Sequence, residues 1–275
     1  MNKKTTALLL SALTLGALSL SAQTSNATGS PMPMPMPTPA APSSSIMLMP
    51  TFVSQYMLRG ARLGGPSFEP SIEYDAGPLA LGVWTNFPIA DKVVGQSDPE
   101  LDPYGSYTFD LSKTLSLQPG FIWYNYPKAK KNDGFYKTTF EPSIALNWTP
   151  ADGWKLTPKV YYDVILSQLL FEFNATYAVP LKDAGTELDF LGTVGSFKAT
   201  DAFENTTPAM KNWGNYWLVG VSAPFQIVKD TQKLILGIAY TKGGDNFLKQ
   251  GSTPKFANPG AVGRGVVTVS YAITF

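Results

Sequence analysis

Read back from its C-terminus, the chain alternates. Phe275, Ile273, Tyr271, Val269 and Val267 form one apolar face, while Thr274, Ala272, Ser270, Thr268 and Arg264 fall largely on the other. A repeat of two places successive side chains on opposite faces of a strand. The same alternation sets Leu169, Phe171, Phe173, Ala175, Tyr177 and Val179 against Gln168, Glu172, Asn174 and Thr176. It also sets Trp154, Leu156, Pro158, Val160, Tyr162 and Val164 against Lys155, Thr157, Lys159, Tyr161 and Asp163. Phe140, Pro142, Ile144, Leu146 and Trp148 oppose Thr139, Glu141, Ser143 and Asn147, and Leu234, Leu236, Ile238 and Tyr240 mark a further strand. Segments near 52–59, 67–75, 79–87, 102–111, 114–124, 186–197 and 215–227 complete roughly twelve strands. Most run to about ten residues, the length a tilted strand needs to cross a bilayer.

Period-two strands build either a soluble sandwich, apolar inside, or a membrane barrel, apolar outside. Several apolar faces end in a ring, at Trp84 or Phe87, Trp123, Trp148, Trp154, Trp217, Phe225, Tyr240 and Phe275. Rings at strand ends suit the interfacial belts of a barrel; a sandwich core would hold them mid-strand. The links agree. Those near 75–78, 110–113, 149–153, 180–185 and 229–232 are short turns, and those at 88–101, 125–135, 198–214 and 242–263 are long and polar. The links at 60–65 and 166–168 depart from this alternation. The pattern predicts an all-β fold: a single antiparallel transmembrane β-barrel of about twelve strands with both termini periplasmic. Pro70, Pro119, Pro142, Pro158 and Pro224 lie inside proposed strands, where each removes a ladder donor that a bulge would have to absorb. Phe68-Glu69-Pro70-Ser71-Ile72 recurs as Phe140-Glu141-Pro142-Ser143-Ile144, which reads either as a duplicated hairpin or as convergent strand chemistry.

Ahead of the strands, Lys3 and Lys4 precede an apolar run over 7–20 and then small residues, the order of a secretory signal peptide. Its domain is taken as 1–22, with cleavage after Ala22 or as late as Ala27, where Ser25-Asn26-Ala27 fits a small-x-small rule. Residues 23–45 form a Pro/Met/Ser-rich disordered linker. Its alternating Pro31-Met32-Pro33-Met34-Pro35-Met36-Pro37 excludes helix and ladder, and its thioethers read as spacer rather than copper tract for want of a fold to gather them. The barrel is expected over 46–275.

Composition narrows the chemistry. With no His and no Cys, the chain has no Ser-His or Cys-His pair, no imidazole or thiolate metal site and no disulfide. The net charge of +1 gives no reason to expect a nucleic-acid partner. Only 15% of residues are charged, where about 25% is usual in soluble domains. Paired carboxylates such as Glu69/Glu73 or Glu187/Asp189 have glycosidase spacing, but any polar lumen does too, so no enzyme is expected and no cofactor. Asp98-Pro99-Glu100-Leu101-Asp102 reads as a solvated loop in preference to a Ca²⁺ loop, because it lacks the EF-hand pattern. Gly243-Gly244-Asp245 is a loop tip with no helix start behind it.

If the apolar faces meet lipid, the opposite faces line the lumen. The pore-lining candidates are Arg59, Glu69, Glu73, Glu141, Lys159, Asp163, Glu172, Glu187, Asp189 and Arg264, with Tyr104, Gln118, Tyr124, Tyr161 and Asn174 among them. Their excess of carboxylates favours cations in a water-filled bore. Alternatively these charges pair across the lumen and plug it. About twelve strands enclose a narrow lumen, between the filled barrels of eight and the open ones of sixteen.

Ser54-Gln55-Tyr56-Met57-Leu58-Arg59-Gly60, then Glu73-Tyr74 and Leu81-Gly82-Val83-Trp84-Thr85-Asn86-Phe87, then Glu100-Leu101-Asp102-Pro103-Tyr104-Gly105-Ser106-Tyr107-Thr108-Phe109, resembles the TorF-type porin family of Gram-negative outer membranes. The likeness is densest over 52–111, and Pro103 departs from it. Phe275, with Tyr271 and Ile273 on its face, also resembles the C-terminal signal read by the outer-membrane insertion machinery. The resemblance implies an outer-membrane location after secretion through the inner membrane, with lipids and that machinery as partners. The expected function is a narrow, passive, weakly cation-preferring diffusion channel for ions or small polar solutes. Its rival is a closed structural or interaction barrel working through its long loops and linker, and a soluble periplasmic sandwich stands third.

Overall fold

The computed structural model describes residues 44–91, 99–128, 137–165, 167–198, 213–243 and 263–275. The signal segment, the linker as far as 43, and most of the loops 198–214 and 242–263 lie outside them. In chain order the strands are β1 (Ser44–Met49), β2 (Thr51–Val53), β3 (Tyr56–Leu58), β4 (Ala61–Gly64), β5 (Ser67–Phe68), β6 (Ser71–Ala76), β7 (Leu79–Pro88), β8 (Glu100–Tyr107) and β9 (Phe109–Asp110). They continue with β10 (Leu115–Asn125), β11 (Thr138–Trp148), β12 (Trp154–Asp163), β13 (Gln168–Leu181), β14 (Thr186–Lys198), β15 (Trp213–Val228), β16 (Gln232–Gly243) and β17 (Arg264–Thr274). All but β3 and β4 join one antiparallel sheet, which closes as a twelve-strand barrel because β17 pairs both β16 and the first wall strand.

Closure runs in a single register. Leu48 opposes Ile273 and Val53 opposes Thr268, so β1 and β2 are one wall strand nicked at Pro50. β5 and β6 are likewise one strand nicked at Pro70. Short turns at 77–78, 111–114, 149–153, 182–185 and 229–231 lie at the end where both termini sit. Gly77, Gly153, Gly185 and Asp230 supply their left-handed residues. At the opposite end Asp163 pairs with Gln168, and Ser167 has φ 51.

The two faces are inverted relative to a soluble sheet. Ile238 is 60% exposed and Ile144 56% on the outside, whereas Glu73, Asp102 and Asp189 are at most 1% exposed on the inside. Outward rings gather at the strand ends, with Phe87, Trp123, Tyr162, Trp217 and Tyr240 toward one rim and Tyr107, Trp148, Trp154 and Tyr177 toward the other. Trp154 and Tyr177, directly paired across β12 and β13, stack at 4.6 Å. Of the two rings that could end the apolar face of β7, Phe87 faces out and Trp84 faces the bore. This arrangement defines a transmembrane β-barrel: an apolar belt bounded by two aromatic girdles around a polar interior.

The prolines are absorbed by gaps in the ladder and not by bulges. The β11–β12 register pairs Ala145 with Lys159 and Trp148 with Leu156 but skips Leu146 opposite Pro158, and β8 pairs β10 over only three residues beside Pro119. Among the described pairings of the wall, the one register shift falls at Gln226/Val228.

The larger departure from sequence expectation concerns 52–65. A wall strand continuing to 59, with a modest loop behind it, is not what forms. The wall strand stops at Val53, and β3 and β4 make a separate two-stranded hairpin folded into the bore before the wall resumes at Ser67.

The outward assignment of β16 predicts that Ile238→Arg, near mid-strand, destabilises the barrel by about 2–4 kcal/mol. Urea unfolding in lipid vesicles measures this, and an unchanged midpoint would show that this face does not meet hydrocarbon.

Candidate functional site

The β3–β4 hairpin crosses the end of the bore away from the termini. Its two-residue turn has Arg59 at φ 49 and Gly60 at φ 78, both left-handed. That combination matches the twist of a tight hairpin but costs a non-glycine residue about 1–2 kcal/mol. Position 60 admits glycine alone: a Cβ there would stand 2.6 Å from the Gly243 backbone nitrogen and 2.7 Å from Tyr216 Cβ. The tip therefore touches β15 and β16.

Arg59 is held there by a fork. Its Nη1 donates to Glu141 Oε2 at 2.9 Å and its Nη2 to Oε1 at 2.5 Å, both groups largely buried, and its guanidinium lies 4.8 Å from the Tyr161 ring centre. Paired, planar N–H donors match a carboxylate better than any point charge would. Ala61 packs with Tyr161, Leu170, Phe197 and Tyr216, and Met57 with Val53 and Val266. On the other side Tyr56 joins Trp84, Tyr104, Ile122 and Tyr124, and its hydroxyl donates to Glu100 Oε2 at 2.6 Å. Leu63 packs against both the Tyr161 and the Trp84 clusters. At the hairpin's base, Arg62 Nε donates to Gln55 Oε1 at 2.6 Å and the guanidinium pairs with Asp91.

Around this hairpin the inward faces of the wall carry the polar side chains. Glu141 also accepts from Tyr124 at 3.3 Å. Glu172 accepts from Tyr161 at 3.0 Å, Asn174 at 2.8 Å and Tyr216 at 2.5 Å. Lys159 stands directly opposite Glu172 in register, with Nζ 4.4 Å from the Tyr161 ring centre. Arg59, Glu141, Lys159 and Glu172 thus form one network bridged by tyrosines. Gly195, opposite Tyr216, leaves room for that ring to lie along the wall, because a Cβ would fall 2.1 Å from it.

The remaining sequence candidates are inward but apart from this network. Glu73 accepts from Tyr104 at 2.9 Å. Asp163 accepts from Thr139 and from the Ile165 backbone N–H. Glu69 is buried between β5 and β6, and Glu187 and Asp189 sit toward the terminus-side rim on β14. Arg264 opens β17 and donates to the Gly263 carbonyl at 3.2 Å. Below the hairpin, Asn147 donates to Gln118 at 3.1 Å and Thr157 to Asn147 at 3.2 Å, a neutral polar lining. Tyr271, Ile273 and Phe275 face outward, and Phe275 exchanges backbone hydrogen bonds with Ile46 at the closing seam.

Two groups lie where the sequence pointed elsewhere. Glu100 and Asp102, read as part of a solvated loop, are on β8 facing the bore at 1% and 0% exposure. The alternation of Glu100, Asp102, Tyr104 and Ser106 against Leu101, Pro103, Gly105 and Tyr107 carried that signal. Pro103, out of pattern for the resembled family, points outward. Among the described residues, no three Asp or Glu carboxylates gather at metal-ligating distance.

The chain belongs to a bacterial protein family of unknown function, Gcw_chp, whose model matches residues 39–227. No curated protein sequence matches it. In fold it is similar to the NanC porin (10% identity, TM-score 0.51, covering 83% of this chain and 98% of that one). It is also similar to a KdgM porin in complex with disordered oligogalacturonate (8% identity, TM-score 0.50, covering 84% and 99%).

The latch geometry predicts a double-mutant signature. Arg59→Ala leaves Glu141 buried without its partner and costs about 3–5 kcal/mol in urea unfolding. Adding Glu141→Gln recovers part of that loss, and strictly additive effects would show that the pair is not coupled.

Proposed function

We propose that the protein is a non-enzymatic outer-membrane barrel of the TorF type: a narrow, passive diffusion channel, weakly cation-preferring, for ions or small polar solutes. The observation that carries this reading is the imbalance of buried charge inside the barrel. Glu69, Glu73, Glu100, Asp102, Glu141, Asp163, Glu172 and Asp189 are buried among the described residues, against Lys159 and the largely buried Arg59. Carboxylates set in the wall of a conducting path lower the barrier for cations and raise it for anions. The hairpin at 56–64 makes the constriction, and the neutral Gln, Asn and Thr lining below it suits solutes that carry their own hydration. The apolar belt and aromatic girdles support the outer membrane as its place, and the outward Tyr271, Ile273 and Phe275 support recognition by the insertion machinery.

A second reading is favoured by the same hairpin. Its contacts with opposite walls, locked by Arg59–Glu141 and Tyr56–Glu100, also suit a barrel closed at one end that works by contacting partners.

Conductance of the full chain in a planar bilayer under a salt gradient separates the two. The channel predicts discrete steps with a cation-selective reversal potential, a smaller selectivity when Glu69, Glu141 and Glu172 are changed together to Gln, and larger steps when 56–64 is replaced by a short Gly-Ser link. Silence in the folded wild type with steps in the hairpin deletion would favour the closed barrel. Silence in both would overturn the channel.

A further inference from the structure

We propose that Asn86, Glu100 and Asp102 form a binding site for a hard divalent cation, Ca²⁺, in the wall of the bore beside the hairpin. Asn86 on β7 and Glu100 on β8 are directly opposed in register, and Asp102 stands two residues further along β8 on the same inward face. Directly opposed residues of an antiparallel pair hold their Cβ atoms about 4.5–5.5 Å apart, so the side chains share one space. All three are at most 2% exposed. Glu100 and Asp102, two residues apart on β8, carry their carboxyl groups on the same inward face.

Three oxygens in this space lack a hydrogen-bond partner: Asn86 Oδ1, Glu100 Oε1 and Asp102 Oδ2. The other oxygens are oriented by the protein. Tyr56 donates to Glu100 Oε2 at 2.6 Å, and the Asn125 backbone N–H donates to Asp102 Oδ1 at 3.0 Å; Tyr126 also faces Glu100. The ion pairs among the described residues are Arg59–Glu141 and Arg62–Asp91, and neither neutralises this pair.

Two carboxylates held together away from water must share a proton or a cation. One proton bridges two oxygens and leaves the third, the amide oxygen of Asn86, buried and unsatisfied, which is unfavourable. A cation engages all three at once. The donor set is oxygen only and carries two negative charges, which selects a hard divalent ion. Its irregular arrangement suits Ca²⁺, which accepts six to eight oxygens in flexible geometry, better than Mg²⁺, which demands a near-ideal octahedron. Glu69 belongs to the same row: Phe68 opposes Phe87 and Ser71 opposes Trp84, which sets Glu69 abreast of Asn86 on its far side. Because Glu100 also anchors Tyr56, an ion here would fix the hairpin's base to β8. The site does not depend on whether the bore conducts.

Terbium luminescence tests it, since Tb³⁺ replaces Ca²⁺ at oxygen sites and Trp84, paired opposite Asp102, is placed to sensitise it. The full chain, refolded in non-ionic detergent free of lipopolysaccharide, is expected to give saturable emission on aromatic excitation that Ca²⁺ displaces. Glu100→Gln with Asp102→Asn should abolish the emission while folded gel mobility is retained, and Asp189→Asn should leave it unchanged. Asn86→Ala, which keeps both carboxylates, should weaken Tb³⁺ binding by about tenfold. Absence of sensitised emission from folded wild type, emission that survives the double substitution, or unaltered affinity in Asn86→Ala would each overturn the assignment.

Discussion

In hydrocarbon no water is available to an unpaired amide, and that single constraint governs this molecule. It requires the sheet to close, and the seam where β17 meets β1 and β2 does so in one continuous register despite the nick at Pro50. It also sets where irregularity is tolerated. The breaks at Pro50 and Pro70 belong to the two wall strands that flank the inward hairpin. The prolines of β10, β11 and β12 shorten individual pairings without shifting their register, so the inward and outward faces never exchange. A slip of one residue would turn Glu141 or Lys159 into the lipid, and the price of that error holds the register in place.

Once the faces are fixed, the interior must be filled or wetted, and the two halves of the bore take different solutions. Toward the end distant from the termini, tyrosines, an arginine and the hairpin pack into buried clusters. Each hydroxyl there is spent on a carboxylate: Tyr56 on Glu100, Tyr104 on Glu73, Tyr161 and Tyr216 on Glu172. Toward the other end, Gln118, Asn147 and Thr157 bond to one another along the wall. The carboxylates that accept from tyrosines are thus gathered around the hairpin.

The wall was legible in the amino-acid order because each strand has one apolar and one polar face, and alternation reports that directly. The hairpin was not, for the same reason. Tyr56, Met57 and Ala61 are all buried, since both faces of β3 and β4 lie inside the barrel, so a repeat of two has nothing to distinguish. What did show was the link at 60–65, whose modest length broke the alternation of short and long connections and which reads as an outer loop unless one knows that it turns inward. Partnerships within the bore were hidden differently. Arg59 and Glu141 are 82 positions apart, and nothing local to either names the other. Glu100 and Asp102 were obscured by their own acidity and by Pro99 and Pro103, which resemble a solvated turn when the inward face of the strand is unknown.

The hairpin also has a mechanical meaning. A thin-walled tube under the lateral pressure of a bilayer yields most readily by flattening, which brings two walls together and drives two apart. The 56–64 segment is bonded to β8 through Tyr56 and to β11 through Arg59, and its tip rests on β15 and β16. Flattening along any of these directions would have to break a charged fork, strip a buried hydroxyl or drive backbone into backbone at Gly60. The segment acts as a spar, and the roundness of the tube at that level is set from within.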